Sequence, residues 1–256
     1  MKVGLAFAAS IAWERENSLE LIKTAETAGF ESVWCGEHVI LPDTIISKYP
    51  YTDDGKIPAT ADTAIPDPLI WLAFAAAASS TLRLGTCILI VPQRNPLVLA
   101  KELATLDRIS GGRVELGLGV GWLKEEFDAL GVPWEARGAR NDEYVAAMRA
   151  LWCEPHVEFH GKYVDFDKVT CSPRPVNGSI PVIVGGDTDA ALRRAARHAD
   201  GYFPGEGDPK KLAELIGRLH AEAEKIGRDP AEIKINIMFG AQMADPAAGI
   251  AELKAL

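Results

Sequence analysis

Glu37 and His38 stand side by side just after a short apolar run at residues 32–35. An imidazole titrates near neutrality, so His38 can donate or accept a proton under ordinary working conditions, or it can simply hydrogen-bond a neighbouring loop. Two readings are open for Glu37: a carboxylate that orients His38, or a buried carboxylate paired with an arginine. Thr86-Cys87, Gly119-Val120-Gly121 and Val184-Gly185-Gly186 close three further apolar runs. Glycines there let backbone N–H groups approach a ring or a phosphate, although tight packing at a strand-to-helix turn asks for the same residue. Gly185 and Gly186 precede a helical stretch, whose positive end suits an anion, and Asp187 reads as the N-cap.

Other chemistries are poorly served. His156 and His160 have helical metal spacing, but their surroundings alternate like a strand, so no metal site is expected. The four cysteines lie far apart without a CxxC pair and read as reduced, mostly buried thiols. With 36 acidic against 27 basic residues and no basic run, neither nucleic acid nor an anionic membrane is an expected partner. No stretch is long and apolar enough to cross a bilayer. Residues 3–12 read as a buried first strand rather than a secretion signal, because Glu14, Arg15 and Glu16 follow without a cleavage site, and a cytoplasmic location is expected.

The elements that must position these residues alternate along the chain. Strands are expected at 2–7, 32–35, 83–91, 113–117, 181–184, 202–203 and 233–239, with helices between them. Asn17 and Glu20 have capping-box spacing before one helix, and Asp67-Pro68 and Asn95-Pro96 each place a cap before a first-turn proline. Residues 157–175 read as a β-hairpin insertion, and residues 40–66 as a long loop, a lid or a dimer contact, with Tyr49 and Tyr51. Strand–helix alternation with right-handed crossovers fits an open sheet or a (β/α)8 barrel. The first strand lacks the G-x-G-x-x-G turn of an open dinucleotide-binding sheet, while polar and glycine residues gather after several strands, as a barrel mouth requires. The expected fold class is therefore an α/β (β/α)8 TIM barrel forming one domain over 1–256, lacking a recognisable last strand after a helix candidate near Pro246.

Taken together, Trp34-Cys35-Gly36-Glu37-His38, Leu84-Gly85-Thr86 through Val91-Pro92-Gln93-Arg94-Asn95-Pro96, Thr105-Leu106-Asp107-Arg108 through Gly111-Gly112-Arg113, Gly119-Val120-Gly121-Trp122, and Pro181 through Gly186 resemble the luciferase-like monooxygenase family, more narrowly its coenzyme F420-dependent branch. The resemblance spans most of residues 1–205 and implies a flavin-type ring at the barrel mouth. It implies a non-prolyl cis peptide between Cys87 and Ile88 backing the ring, His38 near the carbon that exchanges hydride, and Glu37 beside it. Thr86, Cys87, Ile88, Gly119, Val120, Gly121, Val184, Gly185 and Gly186 are the implied cofactor-binding set, the last two at its phosphate. Trp122 replaces the catalytic acid of sugar-phosphate-oxidising relatives, and with Trp13 it is a candidate substrate wall.

The expected function is hydride transfer between F420 and a small organic substrate by a homodimer. The alternatives are an FMN-dependent monooxygenase on the same scaffold and a non-catalytic flavin-binding or dimerisation protein.

Overall fold

A computed structural model describes residues 2–60 and 62–238, and the described residues fall into two compact units that divide between Pro181 and Val182. In the first unit the chain runs β1 (Gly4–Leu5), α1 (Ala8–Ile11), α2 (Arg15–Thr27), β2 (Ser32–Cys35), α3 (Pro68–Ala78), β3 (Arg83–Thr86), β4 (Leu89–Ile90), α4 (Pro96–Ser110), β5 (Val114–Gly119), α5 (Lys124–Ala129), α6 (Arg137–Cys153), β6 (Val157–His160) and β7 (Asp165–Val169). Strands β1, β2, β3 and β5 pair in parallel in that order, with Leu5 opposite Val33, Val33 opposite Leu84, and Leu84 opposite Val114. β4 continues the pairing with Leu89 opposite Leu118. Parallel neighbours leave every strand end of one polarity on one side, which is what brings His38, Cys87 and Gly119 toward a common edge. The expected hairpin is present as antiparallel β6 and β7.

The proline-capped helices form as the residue types dictate. Asp67 accepts from the Leu69 and Ile70 amides, and Asn95 from those of Leu97 and Val98, so each satisfies two orphan donors of the first turn. α4 stops at Gly111, whose φ of 73° is open to glycine at low steric cost. Arg113 then donates to the carbonyls of Ala76, Ser79 and Leu82, closing the end of α3. Three expectations shift. α2 starts at Arg15 rather than Asn17, with Glu14 at the cap position, where its carboxylate accepts from the Asn17 side chain and from no amide of the first turn. The first strand is only Gly4–Leu5, because Phe7 turns the chain with φ 54° into α1. The run 83–91 divides into β3 and β4 around the Cys87-Ile88 bond, which is cis as the resemblance implies.

The second unit contains β8 (Val182–Gly185), α7 (Asp189–His198), β9 (Gly201–Phe203), α8 (Pro209–Lys225) and β10 (Lys234–Ile235). β8 and β10 flank β9, both in parallel. Residue 239 of the expected seventh strand and the helix candidate near Pro246 lie outside the described residues. No helix among the described residues is long and apolar enough to span a membrane.

Candidate functional site

His38 follows β2, and its Nδ1 lies 3.0 Å from Oε2 of Glu126, on α5. The Glu126 side chain is 0% exposed and that of His38 11%. The other carboxylate oxygen of Glu126 accepts from the Val39 amide at 2.6 Å and the Ile40 amide at 3.4 Å. A buried carboxylate is thus met by two backbone donors and one imidazole nitrogen, all from the segment that leaves β2. Trp122 meets the imidazole edge-on at 5.8 Å between ring centroids, and Tyr49 meets Trp122 edge-on at 5.0 Å. Tyr51 packs on Tyr49 in the same way at 5.4 Å, so an aromatic row runs from the histidine into the 40–66 loop.

That loop is docked by the residue before Glu126. Glu125 accepts from the Ile46 and Ser47 amides at 2.6 and 2.9 Å, and the Lys124 amide donates to the Ser47 hydroxyl. Burial works against the Glu125 charge, but the bonds from Ser47 and Ile46 outweigh it and hold the carboxyl down at about 2.

Of the two readings open for Glu37, the geometry gives the pairing with arginine. Its side chain is 1% exposed, both Nε and Nη2 of Arg94 donate to one oxygen, and the Ile90 amide donates to the other at 2.6 Å. Arg94 also reaches Asp67 at 2.7 Å. Burial pushes the Glu37 carboxyl up, with Arg94 opposing. His38 is oriented by Glu126 instead, a residue that sequence reading did not single out. Acidic residues opening a helix look like dipole partners, so nothing local marked it.

The remaining expected site residues separate into groups. Thr86 is buried and donates its hydroxyl to the Gly117 carbonyl at 2.6 Å. Burial pushes the Cys87 thiol up to about 12, which leaves it a packing group rather than a nucleophile. A Cβ on Gly119 would lie 1.9 Å from the Ile88 side chain, so at this glycine the tight-packing reading holds. Val120 and Gly121 follow β5 and lead to Trp122; Gly121 has φ 82° and its carbonyl accepts from Arg137. Trp13 is 56% exposed. Val184 and Gly185 end β8 in the second unit, and Gly186 follows it. There the N-cap of α7 is Thr188 rather than Asp187, since its hydroxyl accepts from the Ala191 amide while the Asp187 carboxylate takes the Gly205 amide and the Tyr202 hydroxyl.

Large apolar side chains are exposed where the chain leaves β1 and β2: Phe7, Val39 and Ile40. The Phe7 ring lies beside Gly36, where a Cβ would stand 3.2 Å from it and 3.5 Å from the Cys87 carbonyl. Exposed apolar surface next to the His38–Glu126 pair is of the kind that can receive a flat, largely apolar ring.

Residues 8–253 match the family model of the luciferase-like monooxygenases. An uncharacterized protein of Mycobacterium tuberculosis is 38% identical over 223 residues, 87% of this chain and 77% of that protein. The FMNH2-dependent dimethylsulfone monooxygenase of Pseudomonas putida is 33% identical over 155 residues, 59% of this chain and 42% of that enzyme. Among solved structures, an F420-dependent secondary alcohol dehydrogenase in complex with an F420-acetone adduct aligns with a TM-score of 0.74 and 26% identity, covering 93% of this chain and 68% of its own. These likenesses and the parallel strand–helix order establish the α/β TIM-barrel class expected from the sequence.

Proposed function

The chain belongs to the luciferase-like monooxygenase family, whose members are oxidoreductases, and on that premise we propose that it transfers hydride between coenzyme F420 and a small organic substrate. When bound, the deazaflavin supplies the hydride acceptor or donor. Hydride leaving or reaching an oxygen-bearing carbon requires a proton to move at that oxygen, and His38 is the group that takes or returns it. The observation that carries this reading is the His38–Glu126 pair, a partly exposed imidazole locked by a buried carboxylate. Phe7, Val39, Ile40 and the peptide at Cys87-Ile88 are the groups that would lie against the ring, with Trp122 and Tyr49 lining the substrate side. Gly185 and Gly186, which the resemblance implies at the phosphate, belong to the second unit, Gly186 standing at φ 109° ahead of α7. The reading includes a cytoplasmic homodimer acting on a small molecule.

A second reading, oxygen chemistry with reduced FMN, draws on the likeness to the dimethylsulfone monooxygenase. Titrating the purified protein with F420 and with FMN, followed by absorbance and fluorescence, separates the two. Micromolar binding of F420 with weak or no binding of FMN is the expected result; tight FMN binding without F420 binding overturns the proposal.

A further inference from the structure

We infer that Glu126 is a positioning residue that selects one tautomer of His38 and thereby makes Nε2 the atom that accepts the proton. The inference rests on the proton-transfer role given to His38 above. A carboxylate oxygen only accepts hydrogen bonds, so in the neutral imidazole the proton facing Glu126 Oε2 sits on Nδ1. Nε2 then carries the free lone pair. The ring is held on one side by this bond and on another by the edge of Trp122, with Tyr49 behind it. Glu37, although adjacent in sequence, is turned onto Arg94 and the Ile90 amide. No other carboxylate among the described residues is bonded to the His38 ring.

The second oxygen of Glu126 makes the arrangement specific. It accepts from the Val39 and Ile40 amides, so both oxygens must be acceptors at once. A glutamine of the same shape can satisfy only one side. With its oxygen on the two backbone donors, its NH2 faces Nδ1, which must then become an acceptor, and the proton moves to Nε2. An isosteric change that preserves packing should therefore invert the tautomer and block the proton acceptor. A wrong tautomer is known to cripple histidine bases held by a carboxylate in other enzymes.

The test begins with cofactor-free, 15N-labelled protein above the titration range of imidazole, where long-range proton–nitrogen correlation NMR distinguishes the two neutral tautomers. The resonances of His38 are assigned by their loss in His38→Gln. The wild type should show the Nδ1–H form and Glu126→Gln the Nε2–H form, while Glu126→Asp keeps the native form in part. With F420 and a turned-over alcohol, Glu126→Gln should lose about 100-fold in kcat with KM changed little, and Glu126→Asp should recover part of that loss. A wild-type ring already in the Nε2–H form, or an unchanged tautomer in Glu126→Gln, overturns the inference. The NMR result is independent of cofactor choice, so failure of F420 to bind would sink the proposed function and leave the tautomer assignment standing.

Discussion

Two buried glutamates flank His38 and do opposite work. Glu37 is its neighbour in the chain, yet its carboxylate is spent on Arg94 and the Ile90 amide, tying the end of β2 to β4 and to the start of α4. Glu126 is 88 residues away and bonds the imidazole. Side chains of successive residues leaving a strand point to opposite sides, so a residue beside a base in sequence is poorly placed to orient it. A group delivered by another element can approach from the correct direction. Charge alone does not distinguish the two sites; what each carboxylate faces does.

If the Glu37 site is structural, removing its cation should unfold before it inactivates. Arg94→Leu leaves the Glu37 carboxylate buried without its partner, and a loss of about 3–5 kcal/mol is expected by denaturant unfolding. A variant as stable as the parent would show that Glu37 is protonated and uncommitted. The opposite profile is expected at the other site. His38→Gln, whose amide can still donate to Glu126, should keep the thermal midpoint within a few degrees while steady-state turnover falls by about 10²–10⁴-fold, the usual range for a general acid or base. Unchanged turnover would remove His38 from the chemistry. Between these lies Asp67, which caps α3 and also meets Arg94. Asp67→Ala should cost about 1 kcal/mol as a lost cap, and Asp67→Asn only a fraction of that, since asparagine still caps and the ion pair is partly exposed. Equal losses in both variants would shift the weight to the ion pair.

Much of this framework can be read from residue types. Asp67-Pro68, Asn95-Pro96 and Gly111 mark helix ends because their side chains or dihedrals act within four residues. His38 was legible for a similar reason: it combines a titrating ring with the end of an apolar run. Its partner was not, because a pairing across 88 residues is set by the parallel sheet and has no local trace. The start of α2 has no sequence mark, because Glu14 makes no side-chain bond to the first-turn amides. Asp187 and Thr188 are both good cap residues by type, and tertiary contacts that draw Asp187 to Tyr202 and Gly205 leave the cap to Thr188. At Gly119, approach to a ring and close packing leave the same letter in the sequence, and the position of Ile88 shows that packing alone already requires glycine.

The smallest effect concerns Glu125, whose role differs from that of Glu126 although the two are consecutive. Its carboxylate holds the Ile46 and Ser47 amides, and through them the part of the loop that carries Tyr49 to Trp122. The folded-state pKa is depressed from an ordinary 4.5 to about 2, so the docking contribution is complete above 4.5 and fades as the pH falls toward 2. Amide hydrogen exchange at Ile46 and Ser47 should accordingly accelerate, relative to the intrinsic rate, as the medium is acidified through that window. Glu125→Gln should show weak protection at every pH with no acid transition of its own. Although the contact lies near solvent, added salt should trim the effect only modestly, the interaction being a short hydrogen bond to neutral amides rather than a charge pair. Protection that persists to pH 2 in the wild type would mean the loop is held by its aromatic row alone, and Glu125 would then lose its part in shaping the wall beside His38.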